Sequence, residues 1–441
     1  MLLVLTSGIL IFSGTFIAWW SNRNLLSPIV ITMGVFFLFY IGGLFFWITQ
    51  GHVLTPYYVA LGTFSYGLGA FLLVAIKRVR PSSERQIFSE LPFCSIFPLE
   101  KYFFISLIIV SAFSVLLGAM YFYEVGIPLF TEWSSFTRTE AIAGRGLYIR
   151  SLFSFLPMVA LSAFFYQKYQ GTLASKALMW LLLFISCLYI ILYGSRGGAI
   201  AYIMPFVFGQ GVISTNKATY KSMILIIVFV LAGLFLQYSY YGYSNLPLSK
   251  GTLVFIGRLT AQQVEGLDYL VYNVVPQRGL YLGRIHIMGF KGMLATFRII
   301  PYEVAPVFGE ILFRMRAGEE VATRFTLVTT TFGDLYADFG PFGIFAGMFI
   351  YGLITQYLYV CMIRGCKDHF LLAFFCYLQY VILAIHIGGD FFGVLANKGI
   401  SLAIFLIIIF FLYVVLSLPS GRVFIVRPLR AKIYNRVKEC R

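Results

Sequence analysis

Charged residues are scarce in this sequence. They make up 11% of its 441 residues, whereas 60% are hydrophobic and 19% are aromatic. A soluble globular protein carries about 25% charged residues, so this composition excludes a soluble enzyme, a coiled coil and a disordered chain. At about 20 apolar residues for each helical crossing, the chain has room for about ten to twelve membrane spans. We therefore expect an all-α polytopic membrane protein.

Acidic residues are scarcer than basic ones. The sequence has 17 Asp and Glu against 33 Lys and Arg, which gives a net charge of +16. Such a surplus also occurs in proteins that bind nucleic acid. Polytopic membrane proteins, however, collect Lys and Arg in their cytoplasmic loops for a topological reason. The charge therefore predicts membrane lipids, and no nucleic acid, as partners.

Eleven apolar runs are long enough to cross a bilayer. They divide the chain into eight spans in residues 1–243, a large loop with a re-entry segment in 244–340, three spans in 341–418 and a basic tail in 419–441. The predicted spans cover residues 2–20, 28–48, 57–76, 102–123, 151–166, 177–194, 199–214, 223–243, 341–362, 370–387 and 400–418.

Successive loops of a multi-span protein lie on opposite sides of the membrane, so the charges of the loops predict the orientation of the spans. One face receives 19 basic and 5 acidic residues, a net of +14, which leaves 14 basic and 12 acidic residues, a net of +2, for the other. By the positive-inside rule the first face is cytoplasmic. We expect the amino terminus outside and the carboxyl-terminal tail inside, in a bacterial inner membrane.

Several catalytic motifs are missing. The sequence has no GxxxxGK[ST] loop for a nucleoside triphosphate, no Asp-x-Asp pair for a metal-bound sugar nucleotide, no HExxH and no GxSxG. We therefore expect no cofactor and no metal site, and a substrate that is already activated. Arginine chemistry at the outer face of a membrane favours a lipid-linked diphosphate, which a guanidinium grips bidentately and stabilises as a leaving group.

Arg196 lies where short outer loops normally avoid basic residues. It belongs to GSRGG, a turn between two predicted spans. An arginine there either contacts an anionic partner or extends to the lipid headgroups. Because the flanking glycines let a ligand approach the backbone, the sequence favours the functional interpretation.

Two longer outer segments also carry arginines. Arg138 lies in residues 124–150, and Arg284 and Arg324 lie in the large loop. Long translocated loops escape the positive-inside rule, so their charge alone proves little. We treat the three residues as candidates for substrate binding.

A polar stripe opens the large loop. On a helix, the spacing from Arg258 through Gln262, Glu265 and Tyr269 to Tyr272 places all five on one face. The stripe is either the solvated face of an amphipathic helix or the wall of a cleft. In the second case the guanidinium binds an anion, the amide and carboxylate bind sugar hydroxyls, and the rings stack.

Two carboxylates precede the ninth span in FGDLYADFGPFGI. Asp334 and Asp338 are four residues apart and share a helical face, and the glycines and proline that follow break the helix. Carboxylates at this depth are costly unless they face water, a cation or an arginine. Salt bridges to loop arginines and a role in proton transfer remain equally open. His286 and His386 are weaker candidates.

Together these segments resemble the Wzy-type polymerases, which join the oligosaccharide repeat units of bacterial O-antigen and capsule. The resemblance is carried by GIPLF with Arg138 downstream, GSRGG at Arg196, GRLTAQQVEG at Arg258 and FGDLYADFGPFGI at Asp334 and Asp338. Their order, the span count and the single large outer loop extend the resemblance over nearly the whole chain.

The resemblance implies a GT-C-like membrane glycosyltransferase that uses undecaprenyl-diphosphate-linked donor and acceptor glycans. It implies that Arg196 and Arg258 bind the donor diphosphate, and that a Wzz-type chain-length regulator is a possible partner. Related ligases have a histidine where this chain has Thr329, Thr330 and Thr331. The departure leaves Asp334, Asp338 or Glu265 as a base, or a reaction that depends mainly on leaving-group stabilisation.

Two rival functions remain open. An O-antigen ligase-like transferase is disfavoured by the missing histidine. A flippase or transporter of lipid-linked oligosaccharide is disfavoured because the sequence shows no internal repeat and its ionisable residues cluster at the outer edge rather than along the spans.

Overall fold

The regular elements of the described chain are all helices. The computed structural model describes residues 2–22, 24–77, 95–97, 99–127, 146–193, 196–213, 257, 260–296, 298–301, 308–317, 327–364 and 368–418. The predicted eighth span and the basic tail lie outside these residues.

The amino-terminal half of the described chain contains seven helices, α1 to α7. Helix α5 contains a π-helical turn at Ser151–Phe155, between its short first part and its main part. The bounds are α1 Leu2–Asn22, α2 Pro28–Gln50, α3 Leu54–Lys77, α4 Glu100–Val125, α5 Gly146–Arg150 with Leu156–Gln170, α6 Leu173–Tyr193 and α7 Arg196–Ile213.

The carboxyl-terminal half contains six more helices, α8 to α13. Helices α8 and α13 each run through a π-helical turn, at Leu270–Val274 and Leu395–Gly399. The bounds are α8 Ala261–Tyr269 with Val275–Arg278, α9 Arg284–Thr296, α10 Phe308–Ala317, α11 Thr330–Arg364, α12 His369–Gly388 and α13 Phe391–Val394 with Ile400–Ser417.

Eight helices of the described chain are long and apolar enough to cross a membrane: α1 to α5 and α11 to α13. They coincide with eight of the eleven predicted spans, as a multi-pass membrane protein requires. The predicted sixth and seventh spans fall on α6 and α7, whose apolar stretches, Leu173–Tyr189 and Ala201–Ile213, are shorter. The count of eleven stays a prediction.

Local sequence explains where several helices begin and end. Ser27 caps α2 by accepting a hydrogen bond from the Val30 amide, and Pro28 occupies the first turn, where a missing N–H costs nothing. Gly51 ends α2 in the left-handed conformation, with φ of 75°. Asp368 caps α12 by accepting hydrogen bonds from the Phe370 and Leu371 amides.

Helices α3 and α11 pack backbone against backbone. A Cβ atom on Gly69 would lie 2.1 Å from the Phe349 carbonyl oxygen, and one on Gly352 would lie 2.0 Å from the Tyr66 carbonyl oxygen. Ser65 donates a 2.5 Å hydrogen bond to the Phe345 carbonyl in the same contact. Small residues permit this approach, which gives van der Waals contact where the hydrophobic effect is weak.

A buried aromatic cluster joins α2, α3, α11 and α12. The Phe36 ring lies 4.9 Å from Phe332, 5.4 Å from Tyr66 and 5.3 Å from His386, all in edge-to-face geometry. The His386 ring also lies 4.9 Å from the Tyr351 ring. The cluster fills the bundle beneath the start of α11.

Candidate functional site

The site begins at a break in α11 that the sequence dictates. Gly340 has φ of 65°, outside the helical range, and Pro341 has no N–H to give to the Ala337 carbonyl. The chain before α9 fills the gap, because the Tyr281 amide donates to the Ala337 carbonyl at 2.9 Å and the Leu282 amide donates to the Asp338 carbonyl at 3.0 Å. The break therefore docks the segment before α9 onto α11.

The Asp338 side chain fixes the start of α9 at this break. It is fully buried and accepts hydrogen bonds from the Ile285 amide at 3.0 Å and from the His286 amide at 3.1 Å. The His286 Nδ1 atom lies 2.5 Å from the same carboxylate. This hydrogen bond raises the pKa of the His286 imidazole, against the opposing effect of burial. In the described chain, the partner of Asp338 is thus a histidine and not an arginine.

Asp334 contacts a different segment, although it shares a helix with Asp338. One carboxylate oxygen accepts a 2.5 Å hydrogen bond from the Thr329 hydroxyl, and the other accepts a 2.7 Å hydrogen bond from the Asp390 amide. Gly389 makes the approach possible, because a Cβ atom there would lie 2.7 Å from the Thr329 hydroxyl oxygen and 2.8 Å from Asp334 Oδ2. Its φ of 68° also favours glycine.

Asp390 has an unusual backbone for a residue with a side chain. Its φ is 45°, in the left-handed region where Asp and Asn are tolerated best among non-glycine residues. Its carboxylate caps α13 by accepting a 3.1 Å hydrogen bond from the Gly393 amide. Burial raises the pKa of the Asp390 carboxyl group. A left-handed backbone costs free energy in a residue with a side chain, so the surrounding structure must support it. At Asp390 the support comes from the hydrogen bond to Asp334 and from the cap on α13.

A cavity of about 260 Å³ lies where these segments meet. It is bounded by α9, the start of α10, the irregular segment before α11 and the turn between α12 and α13. Its polar walls are Thr329, Asp334, Asp390 and His286. The remaining lining is apolar or glycine: Ile285, Met288, Gly289, Gly292, Phe308, Gly309, Leu327, Val328, Gly388, Gly389, Phe391, Phe392 and Val394.

The described members of the predicted polar stripe, which lie in α8, do not line this cavity. Gln262 is exposed and Tyr269 is half-buried. Glu265 forms an ion pair with Arg316 of α10, on a part of the surface where both side chains remain accessible. Glu265 and Arg316 therefore join α8 and α10, and such an exposed pair contributes about 0.2–1 kcal/mol.

The last member of the stripe anchors α8 to the bundle. Tyr272 stacks on His52 with ring centroids 3.8 Å apart, and its hydroxyl oxygen accepts a 2.8 Å hydrogen bond from the Leu54 amide. Asp268 accepts hydrogen bonds from His52 at 2.9 Å and from the Thr55 hydroxyl at 2.5 Å. These contacts fix α8 to the turn between α2 and α3. The sequence interpretation gave His52 no role.

The described residues include only some of the arginines that the sequence predicts to bind substrate. Arg138, Arg258 and Arg324 lie outside the described residues. Arg196 begins α7, but its side chain is not among those described. Arg284 begins α9 and is exposed, outside the lining of the cavity.

Of the residues at the cavity, sequence reasoning singled out Asp334 and, more weakly, His286, and missed Asp390. A signal was present, because Asp390 follows two glycines directly after an apolar run. His386, the other weak candidate, is buried in the aromatic cluster and does not line the cavity. Within the described residues, no group of three or more His, Cys, Asp or Glu side chains is placed to hold a metal ion.

Comparison with protein-family models, with curated proteins and with solved structures finds no match to this chain. No relative therefore supplies a function. Any functional conclusion depends on the chemistry of the residues themselves.

Proposed function

We propose that this protein is a membrane glycosyltransferase that polymerises undecaprenyl-diphosphate-linked oligosaccharide repeat units at the outer face of the bacterial inner membrane. The observation that carries the proposal is the cavity with Asp334 and Asp390. It lies at the end of the bundle where α11 begins and α12 ends, beside the outer helices α9 and α10. By the predicted orientation, this end faces outward.

The chemistry requires few groups. A hydroxyl of the acceptor glycan attacks the anomeric carbon of the donor, and the undecaprenyl diphosphate leaves with the bonding electrons. A carboxylate within reach of the hydroxyl accepts its proton, which contributes about 10²- to 10⁴-fold to the rate. Cationic side chains stabilise the departing diphosphate. For these we propose Arg196 and Arg258, with Arg138 and Arg324 as further contacts.

Flippase activity is less well supported. A flippase needs a polar path through its spans. In the described chain, the bundle below the cavity contains the packed rings of Phe36, Phe332, Tyr66 and His386. Among the described residues, the polar walls of the cavity lie at the end of the bundle where α11 begins.

The first experiment is to delete the gene in a bacterial host and count repeat units per acceptor on the surface glycolipid by gel electrophoresis and mass spectrometry. We expect acceptors with a single repeat, since export and ligation continue while polymerisation stops. Acceptors without repeats would instead identify a flippase or a ligase and overturn the proposal.

Complementation then tests the arginines. Wild-type protein should restore long chains, whereas Arg196→Ala and Arg258→Ala should leave single repeats with normal protein levels in the membrane. Arg314→Ala is the matched control, because Arg314 is an exposed arginine of α10 outside the cavity lining. Chains of normal length in both test variants contradict the proposed role.

A further inference from the structure

The charge of the cavity differs from that expected of a diphosphate site. Its ionisable lining groups are Asp334, Asp390 and His286, and His286 is hydrogen-bonded to Asp338. Among the described residues that line it, there is no Lys or Arg. Two carboxylates repel a diphosphate, and they repel the carboxylate of an acidic sugar for the same reason. The walls therefore suit a neutral ligand that offers hydroxyl groups.

The size and the apolar walls of the cavity fit one sugar ring. A cavity of about 150 Å³ holds a benzene ring in another protein, so 260 Å³ accommodates a six-membered ring with its substituents. It is too small for an oligosaccharide or a polyprenyl tail. Phe308, Phe391 and Phe392 supply apolar surface for the C–H faces of such a ring.

The two carboxylates at the cavity are not equivalent. Both oxygens of Asp334 accept hydrogen bonds, from Thr329 and from the Asp390 amide. Among the described residues, the Asp390 side chain accepts one hydrogen bond, from the Gly393 amide to Oδ1. A carboxylate has about four acceptor sites. Asp390 thus retains the capacity to accept a hydrogen bond from a ligand, while Asp334 positions it.

We propose that this cavity is the acceptor subsite, which binds the terminal sugar of the acceptor glycan, selects a neutral sugar over an acidic one and presents its hydroxyl to Asp390. The assignment rests on the proposed function. The hydroxyl proton passes to the Asp390 carboxylate as the hydroxyl oxygen bonds to the donor's anomeric carbon. The bond from that carbon to the diphosphate oxygen breaks, and its electron pair leaves with the diphosphate. The donor diphosphate lies outside the cavity.

Binding is tested without turnover. Purified full-length protein in nanodiscs is titrated with neutral methyl glycosides, N-acetylated ones included, and with methyl glucuronide, and binding is followed by saturation-transfer NMR. We expect at least one neutral glycoside to bind at least tenfold more tightly than the glucuronide. If no neutral glycoside binds at millimolar concentration, or if the glucuronide binds equally well, the assignment is wrong.

A variant that fills the cavity provides a second test of the proposed sugar site. Gly292 of α9 lines the cavity, and a Cβ atom there meets nothing within 4 Å, so Gly292→Leu fills the space without backbone strain. Gly34→Leu is the matched control, because Gly34 has equally open surroundings on the exposed face of α2. We expect glycoside binding to be lost in the first variant and kept in the second. Binding that survives Gly292→Leu contradicts the assignment.

Asp390→Asn tests the role of the carboxylate. Asn also caps helices well and tolerates the left-handed backbone, so the substitution removes the charge and leaves the local structure intact. We expect polymerisation to fall by about 100-fold or more, as for the loss of a general base, with neutral glycosides still bound and the preference over glucuronide reduced. Unchanged polymerisation and unchanged preference would overturn the role.

The two proposals fail in distinguishable ways. If the gene deletion leaves normal chains while neutral glycosides bind in a Gly292-dependent manner, the polymerase assignment fails and the sugar site stands. If the deletion gives single repeats while no glycoside binds, the polymerase assignment stands and the acceptor subsite fails.

Discussion

Asp368 and Asp390 cap successive apolar helices at opposite ends of the bundle. At the start of α12, Asp368 accepts hydrogen bonds from the Phe370 and Leu371 amides on one oxygen and from the Ile96 amide on the other. At the start of α13, Asp390 accepts one hydrogen bond within the described chain and borders the cavity. The same residue type in the same local position is therefore structural where its oxygens are occupied and available for chemistry where they are not.

Asp338 extends the comparison and should give the largest change in stability. It accepts three hydrogen bonds with no exposure, so Asp338→Asn places an amide N–H against backbone or imidazole donors. We expect a loss of about 2–3 kcal/mol in the free energy of unfolding, since hydrogen bonds to charged groups are the costly ones to break. Denaturant unfolding in detergent measures this loss. An unchanged free energy of unfolding would show that the number of hydrogen bonds an aspartate accepts does not separate the structural aspartates from Asp390.

The second prediction compares the two capping aspartates directly. Asp368→Asn keeps the cap at one oxygen and places an N–H donor against the Ile96 amide, so we expect a loss of about 1–2 kcal/mol. Asp390→Asn should leave stability nearly unchanged, because within the described chain the Asp390 carboxylate accepts one hydrogen bond, from the Gly393 amide, and the Asn oxygen keeps it. Equal losses in the two variants would remove the distinction.

The third and smallest effect is a pH dependence of the His286–Asp338 pair. Since the folded protein has a raised pKa for His286, the pair contributes its full stability below the ordinary histidine pKa of about 6.5. That contribution is lost as the pH rises through the raised pKa. His286→Gln is the control, because subtracting its unfolding curve removes the titration of the other histidines. The measured quantity is the difference in the free energy of unfolding between wild type and His286→Gln. If this difference stays constant as the pH rises through the raised His286 pKa, the prediction is wrong.

The sequence predicted eight spans that coincide with long apolar helices, and the break at Gly340, because both follow from local properties, apolar length and the missing N–H of proline. It also placed Asp334 and Asp338 on one helix, but helical spacing does not specify partners. Asp338 contacts α9 and Asp334 contacts the turn between α12 and α13. Asp390 was missed because a carboxylate at the end of an apolar run looks like an ordinary helix boundary. Only its tertiary contact with Asp334 distinguishes it.

The contact of α3 with α11 has a consequence for biosynthesis. Its partners are 280 residues apart in the chain, as the hydrogen bond from Ser65 to Phe345 shows. At about 5–20 residues per second, translation takes about 15–55 s to make the second partner after the first. During this interval the glycine face of α3 has no cover from α11. A ribosome-bound chain that stops before α11 should therefore be a preferred substrate of membrane proteases, until the late spans emerge and the bundle closes.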